Sequence, residues 1–327
     1  MAQFDLAEAD LRAYRPDIEE PADFIAFWDR TIAEARAHHH DVLIVPTPSR
    51  LKSVDVLDLT FPGFGGEPIK AWYLRPTGTD QPLSTVVEFV GYGGGRGLAH
   101  ERLAWPAAGY AYVVMDTRGQ GSGWGGGGAT PDPHGTGPSS PGFMTRGIEN
   151  PDSYYYRRVY TDAFRCVDAV RALPGVDERR IAVVGGSQGG GIALAVAGLR
   201  SDLAAAIIDV PFLSHFTRAL AITDRDPYAE IVRYLSIHHE MHDQAFRTLS
   251  YFDGTSFAPH ATARAAFSTG LRDLTCPPST VFAAYNRYGG DKRISVYPFN
   301  DHEVGGAHRW PAAAEFLAEA LREPPTG

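Results

Sequence analysis

The chain has 327 residues, of which 44% are hydrophobic and 21% charged, so it can bury a sizeable core and its composition excludes the disordered and fibrous classes. Its 30 basic and 39 acidic side chains give a net charge of -9, and no basic stripe is present that could neutralise phosphates, so we expect no nucleic-acid partner. Two cysteines, Cys166 and Cys276, are too few for a disulfide framework.

The first residues are acidic and polar, whereas a secretory signal would be basic and then continuously apolar. The sequence also has no uncharged apolar stretch of about 18 residues, the length that a membrane-spanning helix needs. We therefore expect a protein without a membrane partner and with a cytoplasmic location.

Residues 1–50 are predicted to form a helical extension of a single domain, residues 1–327. Between Pro21 and Ala37 the apolar residues recur every three or four positions, which is typical of one face of a helix. Residues 52–75 then predict two strands joined by the Gly-rich turn from Pro62 to Pro68.

From there the pattern changes to short apolar runs separated by helical stretches. This alternation indicates an α/β fold with a mostly parallel central sheet that is flanked by helices. The predicted strands are Thr85–Val90, Tyr110–Asp116, Arg180–Val184, Ala204–Val210, Ala265–Thr269 and Ile294–Pro298.

Three segments between these strands stand out. Residues 119–142 are rich in Gly and Pro and predict a long loop, which in a compact domain is usually functional or part of an interface. Residues from Ser153 to Leu173 predict a helix that Pro174 and Gly175 end. Residues 211–262 predict a helical insertion that caps the site, placed before the strand of the catalytic acid.

The pattern G-x-S-x-G occurs at Gly185-Gly186-Ser187-Gln188-Gly189, directly after a β-branched strand and before small, helix-compatible residues. A nucleophile elbow requires this order of strand, sharp turn and helix, so we predict the α/β-hydrolase fold with Ser187 as nucleophile. Gly185 and Gly189 would let the strand and the helix approach each other closely, and the N-terminus of the helix would favour negative charge above it.

In this fold the acid and then the histidine follow the nucleophile, each at the carboxyl end of a later strand. His302 lies in a polar loop after the last predicted strand and before a final amphipathic helix, which makes it the best-placed base. His308 is its competitor but begins the terminal helix.

For the acid, Asp273 ends a strand-like segment and precedes Cys276-Pro277-Pro278, where a proline can open a helix. Asp209, at the end of the preceding strand, and Asp301, beside His302, are the alternatives. Asp301 is adjacent to the histidine that it would have to orient, which makes the required side-chain hydrogen bond awkward.

A tetrahedral oxyanion needs two backbone donors, and one of them comes from the residue after the nucleophile, here Gln188. The second is expected from the loop after an early strand. The glycine-rich run that follows Val90 fits this position, with the amide of Tyr92 as the predicted donor.

The chain resembles carbohydrate esterase family 7, the acetyl xylan esterases and cephalosporin C deacetylases. Arg118-Gly119-Gln120-Gly121, the run from Gly185 to Gly189, and His302-Glu303 match the three signature motifs of that family in order. Similar stretches are Gly91-Tyr92, Tyr228 to Ile237, and Asp273 to Asn286, so that the resemblance covers nearly the whole chain.

The resemblance implies Ser187, Asp273 and His302 as catalytic triad, with the amides of Tyr92 and Gln188 as oxyanion donors. It also implies supporting roles for residues of the signature motifs, namely Arg118, Gly119, Gln120, Gly185, Gly189 and Glu303. The family usually has His-Gly-Tyr-Asn where this chain has Val90-Gly91-Tyr92-Gly93. This departure preserves the backbone donor but changes the polarity of the pocket.

The expected function is hydrolysis of short-chain esters, chiefly acetyl esters of carbohydrates such as acetylated xylo-oligosaccharides, and also of cephalosporin C, through an acyl-enzyme and without cofactor or metal. The resemblance further implies a homo-oligomer, a hexamer in that family, with the loop 119–142 as a candidate contact. The alternatives are an oligopeptidase, a lactone hydrolase, or a binding protein that keeps the fold without catalysis.

Overall fold

The computed structural model describes residues 3–134 and 137–322, so residues 135 and 136 of the predicted loop and both ends of the predicted domain lie outside the described residues. These residues form a nine-stranded sheet. Its strands are β1 (Leu43–Pro46), β2 (Val54–Pro62), β3 (Pro68–Pro76), β4 (Leu83–Phe89), β5 (Ala111–Met115), β6 (Val176–Gly186), β7 (Ala205–Asp209), β8 (Arg264–Gly270) and β9 (Lys292–Tyr297).

Helices surround this sheet in the described chain. They are α1 (Glu8–Ala13), α2 (Phe24–Arg36), α3 (Ala104–Ala107), α4 (Tyr155–Arg171), α5 (Gln188–Leu199), α6 (Phe216–Ile222), α7 (Tyr228–Leu235), α8 (His242–Ser250), α9 (Gly254–Phe257), α10 (Pro278–Arg287) and α11 (Arg309–Ala320).

The strand order is β1-β2-β3-β5-β4-β6-β7-β8-β9. The first three strands and β5 pair antiparallel, whereas every pair from β5 and β4 onward to β9 is parallel. The order reverses where β4 lies between β5 and β6, and in open α/β sheets such a reversal creates a crevice at the carboxyl ends of the strands. The mostly parallel sheet expected from the sequence is confirmed.

The parallel strands from β4 to β8 bury residues on both of their faces. Along β4 and β6, Val87 and Val183 belong to the core cluster under α4 and α5, while Val86 and Val184 belong to a second cluster that α3 and α11 cover. Alternate residues of a strand point to opposite faces, so a strand between two helical layers must be apolar on both. This is why these strands are recognisable as continuous apolar runs.

Each of the six strands predicted for the α/β part corresponds to a strand of the structure. Two of the predicted helices correspond to α2 and α4. The strand β1 was not predicted. It is a four-residue edge strand in which one position is partly buried and the others are exposed, so its side chains show no buried alternation that a sequence pattern could reveal.

Between β7 and β8 the chain makes the helices α6 to α9, which fall within the predicted insertion 211–262. Between β5 and α4 the described residues form turns, bends and one isolated bridge, from Gly94 to Trp124. Within the described part of the chain, no helix has the length and apolar character required to cross a membrane.

Candidate active site

Ser187 occupies the turn between β6, which ends at Gly186, and α5, which begins at Gln188. Its backbone has φ 57° and ψ -122°, a conformation that L-residues rarely adopt and that costs of order 1–3 kcal/mol. The amide of Ser187 donates to the carbonyl of Asp209 at 3.0 Å, and its carbonyl accepts from Phe212 at 3.0 Å. The serine is therefore held in a strained turn at the positive end of a buried helix.

The glycines beside the serine allow strand and helix to lie in near backbone contact. A Cβ atom on Gly185 would lie 2.2 Å from the carbonyl oxygen of Gly189, and one on Gly189 would lie 2.1 Å from the carbonyl oxygen of Phe89. Both distances are far shorter than any van der Waals contact, so this spacing of the elements requires glycine at both positions.

Asp273 and His302 lie together at the carboxyl ends of β8 and β9. The Nδ1 of His302 is 2.8 Å from Oδ2 of Asp273, and the carboxylate is fully buried. The other oxygen of Asp273 accepts from the amides of Thr275 and Cys276, each at 2.8 Å. Since both carboxylate oxygens have fixed donors, the carboxylate can orient the imidazole ring.

The electrostatic setting of His302 favours its protonated form. Burial alone would lower the pKa of this imidazole, but the hydrogen bond to Asp273 and the negative charges of Asp273 and Asp301 outweigh it and raise the pKa above 6.5. The buried carboxylate of Asp273 thus stabilises the imidazolium that forms when the ring takes a proton.

The three rival residues are engaged elsewhere. Oδ1 of Asp209 accepts from Ser268 at 2.7 Å and from Arg309 at 3.0 Å. Oδ1 of Asp301 accepts from the backbone amides of Leu274 and His302, and among the described residues Asp301 makes no hydrogen bond to the imidazole ring. His308 ends a short 3-10 turn and is exposed.

A cavity of about 620 Å³ opens above the strand ends and is lined by both Ser187 and His302. Its volume lies in the range typical of small-molecule sites. Tyr92 and Trp124 line one side, and Pro227 from the segment before α7 also lines it. The predicted nucleophile, base and oxyanion loop therefore share one cavity.

Tyr92 follows β4, and Gln188 is the first residue of α5. The first amides of a helix have no acceptor within the helix, and in the described chain the amide of Tyr92 donates no hydrogen bond. The carbonyl of Tyr92 accepts from the indole Nε1 of Trp124 at 2.7 Å. Tyr92 lines the cavity and its peptide is fixed from the side of its carbonyl, while Gln188 follows Ser187 directly in the chain.

The side chains of Gln120 and Gln188 form a reciprocal amide pair, with N to O distances of 2.8 and 3.1 Å. Oε1 of Gln120 also accepts from the amide of Gly93 at 2.7 Å, and Nε2 of Gln188 donates to the carbonyl of Val90 at 3.1 Å. The pair therefore connects the residue after the nucleophile to both ends of the oxyanion loop. This contact explains why a glutamine occurs in each of two signature motifs.

Arg118 is fully buried and does not line the cavity, so it is not placed to contact a substrate. Its Nε and Nη2 form a bidentate pair with Asp162 at 2.6 and 2.7 Å, and Nη1 pairs with Glu67. Its carbonyl accepts from the hydroxyl of Tyr155 at 2.5 Å. Arg118 thus holds the start of the loop 119–142 against α4, while Gly119 turns the chain with φ 70°.

Two residues that contact Tyr92, namely Glu230 and Trp124, were missed by the sequence analysis. The hydroxyl of Tyr92 donates to the buried carboxylate of Glu230 at 2.5 Å and accepts from the amide of Phe143 at 2.6 Å. Glu230 lies in the run from Tyr228 to Ile237, which the sequence analysis noted only as similar to the family. Trp124 lies in the loop 119–142, which it noted as rich in Gly and Pro. A lone acid on a helix and a lone tryptophan in a loop carry no spacing signal.

The departure at Val90 and Gly93 has a clear structural setting. Val90 is buried, lines the cavity and packs in the core cluster under α11. Gly93 has φ 78°, in the left-handed region where asparagine is also tolerated. The backbone course is therefore compatible with both sequences, while Val90 replaces a polar surface with an apolar one.

Glu303, beside the base, is exposed and accepts from the side chain of Asn300 at 2.7 Å, which lowers the pKa of its carboxyl. Among the described residues, one group has ligand types suited to a metal: Asp273, Cys276 and His302, whose ligand atoms lie within 4.8 Å of one another. The hydrogen bonds already described engage both oxygens of Asp273, and burial raises the pKa of the Cys276 thiol. The geometry is that of an acid and base pair with a neutral thiol beside it.

Comparison with known proteins places this geometry in a family. The model of the family described as acetyl xylan esterase (AXE1) matches residues 1–320. The acetyl xylan esterase from Paenibacillus sp. R4 is 40% identical, with a TM-score of 0.90 and coverage of 96% of this chain and 99% of that chain. Acetyl xylan esterase 1 from Thermoanaerobacterium sp. JW/SL YS485 is 32% identical, also with a TM-score of 0.90, and covers 98% and 100%.

A curated relative, acetyl esterase Axe7A of Xylanibacter ruminicola, is 30% identical over 161 residues, which are 49% of this chain and 36% of the relative. This chain thus matches little more than a third of that longer protein. The family match over nearly the whole sequence, together with two structures covered almost completely, is decisive: the chain belongs to the acetyl xylan esterase family and is a carboxylic ester hydrolase with the α/β-hydrolase fold.

Proposed function

We propose that this protein removes acetyl groups from acetylated xylo-oligosaccharides, with Ser187, His302 and Asp273 as its catalytic triad. The observation that carries the proposal is the single cavity that is lined by both the strained serine and the Asp273-paired histidine. The substrate class comes from the two relatives named acetyl xylan esterases, which align over almost their full lengths.

In the first half of the reaction, Oγ of Ser187 attacks the acetyl carbonyl and His302 takes the serine proton. The amides of Tyr92 and Gln188 donate to the oxyanion of the tetrahedral intermediate, which the N-terminus of α5 also stabilises. His302 then gives the proton to the sugar oxygen, the ester bond breaks, and the sugar leaves as an alcohol. Asp273 keeps the imidazole in the required tautomer and stabilises its charged form.

In the second half, water replaces the sugar. His302 removes a proton from this water, which attacks the acetyl-enzyme through a second tetrahedral intermediate. Collapse of that intermediate returns the proton to Ser187 and releases acetate. The thiol of Cys276 stays protonated because burial raises its pKa.

The Ser187→Ala variant tests the nucleophile. We expect acetyl-ester turnover to fall by about 10⁴ to 10⁶, because the acyl-enzyme can no longer form. The exposed Ser201→Ala variant serves as the matched control and should keep wild-type turnover. A folded Ser187→Ala protein with near-normal activity would contradict the assignment.

The substrate class needs a separate experiment. Acyl chains of increasing length on one leaving group, followed by acetylated xylo-oligosaccharides, cephalosporin C, lactones and peptide amides, should give the highest kcat/KM with acetylated xylo-oligosaccharides. A preference for peptide amides would indicate an oligopeptidase, and a preference for lactones a lactone hydrolase. Val90 makes the cavity less polar than a histidine would, so cephalosporin C is expected to be the weaker acetyl substrate.

We further propose the hexamer that the resemblance implies, together with a cytoplasmic location. The exposed part of the loop 119–142 supports the hexamer, because its solvent-exposed backbone near the cavity is available for contact with another subunit. The two buried free thiols support the cytoplasmic location, since reduced cysteines are typical of reducing compartments. Light scattering and cell fractionation test these proposals, and a monomer or a secreted protein would refute them.

A further inference from the structure

A second cavity, of about 250 Å³, lies beside the active-site cavity. The two cavities share five lining residues, which are Glu88, Gly186, Asp209, Gly306 and Arg309. Gly186 immediately precedes the nucleophile, and the carbonyl of Asp209 accepts from the amide of Ser187 at 3.0 Å. The second cavity is therefore separated from the reacting serine by a single layer of residues.

The shared wall offers an unused donor and an unused acceptor. Nε and Nη2 of Arg309 lie 3.0 and 2.9 Å from Oδ1 of Asp209, whereas Nη1 has no hydrogen-bond partner among the described residues, although Arg309 is only 6% exposed. Oδ2 of Asp209 likewise accepts no hydrogen bond within the described chain, because Ser268 and Arg309 both use Oδ1. A buried donor without a partner is costly, so a ligand that supplies an acceptor there gains free energy.

The charges around this wall already compensate one another. Arg309 pairs with Asp209 at 2.9 Å, and Glu88 pairs with Arg102 at 2.9 Å. A charged ligand would have to break one of these pairs. A hydroxyl group, which donates and accepts at once, would match the acceptor on Asp209 and the donor on Arg309 without adding charge.

An aromatic surface borders the same cavity. Trp310 and Trp105 line it, with ring centroids 5.8 Å apart, and Trp310 remains 39% exposed while Trp105 is buried behind it. A large apolar ring held by a second ring and left open to solvent can pack against the C–H face of a pyranose. Hydroxyl-binding groups beside such a ring form the combination that a neutral sugar requires.

From these four observations we propose that Asp209, Arg309, Glu88 and Trp310 form a binding subsite for a neutral pyranose unit, next to the acetylated unit held at Ser187. The proposal rests on the proposed function, because it assigns the neighbouring xylose of an acetylated xylo-oligosaccharide to this cavity. One sugar hydroxyl donates to Oδ2 of Asp209 and accepts from the Arg309 guanidinium, while the ring face packs on Trp310. The subsite makes the enzyme prefer oligosaccharides over single acetylated sugars.

Binding without turnover gives the first test. Unacetylated xylotriose is titrated by calorimetry into Ser187→Ala and into the double variant Ser187→Ala/Trp310→Ala. We expect Kd to rise at least tenfold when the indole is removed, and Ser187→Ala/Trp310→Phe to recover most of the affinity, because phenylalanine keeps an aromatic face. Equal Kd values in the three proteins, or no heat of binding with Ser187→Ala, would overturn the subsite.

The second test compares two substrates in the active enzyme. For Trp310→Ala, the ratio of kcat/KM for acetylated xylotriose to kcat/KM for p-nitrophenyl acetate should fall about tenfold, mainly through KM, since the small ester cannot fill the second cavity. The Ile237→Ala variant removes an exposed apolar side chain that lines neither cavity, and it should leave the ratio unchanged. A ratio unaffected by Trp310→Ala would contradict the proposal.

The two experiments separate the subsite from the proposed function. If acetylated xylotriose is not hydrolysed by the wild-type protein although p-nitrophenyl acetate is, the substrate assignment fails, while the xylotriose titration still measures the subsite directly. If acetylated xylotriose is hydrolysed and the titration gives no dependence on Trp310, the function stands and the subsite fails.

Discussion

Asp273 approaches His302 from a fully buried position, with Oδ2 2.8 Å from Nδ1 of the imidazole and Oδ1 held by two backbone amides. The amides come from the turn that leads into α10, whose first residue is Pro278. The carboxylate is therefore oriented by the backbone itself before it orients the ring. This arrangement makes the role of Asp273 separable from that of the neighbouring Asp301.

Replacement of Asp273 by Asn should lower kcat for acetyl esters by about 10⁴, the scale known for loss of the carboxylate in a serine triad. The amide can present its NH₂ group to Nδ1 and so stabilise the wrong tautomer of His302. Initial rates with p-nitrophenyl acetate measure the effect. Asp301→Asn is the matched control, because Asp301 binds backbone amides and not the ring, and it should lose less than tenfold. A larger loss for Asp301→Asn than for Asp273→Asn would exchange their roles.

The pH dependence of kcat/KM follows from the raised pKa of His302. Only the neutral imidazole can accept the serine proton, so activity should rise with pH and reach half its maximum above pH 6.5. In Asp273→Asn the favourable charge is lost while burial remains, so the pKa falls and the acid limb should move to lower pH. A pH profile that is identical in the two proteins would show that another group controls the limb.

His302 should make activity rise with pH but should make its own contribution to folding stability fall as the pH rises. Since the folded state raises the pKa of His302, it binds the proton more tightly than the unfolded chain, and this contribution is fully present below the unfolded-state pKa. It is lost as the pH rises through the folded-state pKa. Urea unfolding of wild type and His302→Gln at several pH values would measure it as a difference that shrinks toward alkaline pH.

Tyr92→Phe should weaken the oxyanion hole without removing its backbone donor. The substitution leaves the carboxylate of Glu230 and the amide of Phe143 without the Tyr92 hydroxyl, which costs about 1–3 kcal/mol of stability. We expect kcat to fall about tenfold, equivalent to about 1.4 kcal/mol, with little change in KM. Tyr285→Phe is the control, because the hydroxyl of Tyr285 has no hydrogen bond within residues 3–134 and 137–322. An increase in KM alone would instead place the hydroxyl in substrate binding.

Most strands of the sheet could be predicted because their pattern of apolar residues is contained in a short stretch of sequence. Strands buried on both faces are largely apolar runs, and the helices between them need the three- and four-residue spacing of a packed face, so β4 to β8 were recognisable. The edge strand β1 has neither signal. Its existence depends on pairing with β2, which is a tertiary event that its own residues do not encode.

The candidate site likewise has residues that the sequence predicts and residues that only the folded structure identifies. Ser187, Asp273 and His302 could be predicted as a triad because this fold places each member at the end of a strand in a fixed chain order. Glu230 and Arg309 act through contacts with Tyr92 and Asp209, which are 138 and 100 positions away in the sequence. No periodicity or motif connects residues so far apart, and only the folded chain brings them together.

Gly189→Ala should be strongly destabilising although alanine is the better helix former by about 1 kcal/mol. The new Cβ would lie 2.1 Å from the carbonyl oxygen of Phe89, and because that atom belongs to the backbone of β4, strand and helix must separate. We expect a loss of about 1–3 kcal/mol in the free energy of unfolding, measured by urea denaturation. Gly186→Ala is the matched control, since its Cβ would meet nothing closer than the Cβ of Asp209 at 4.0 Å, and its unfolding free energy should stay within about 0.5 kcal/mol of wild type. Equal stability of the two variants would mean that the close approach of β4 and α5 does not determine the glycine at 189.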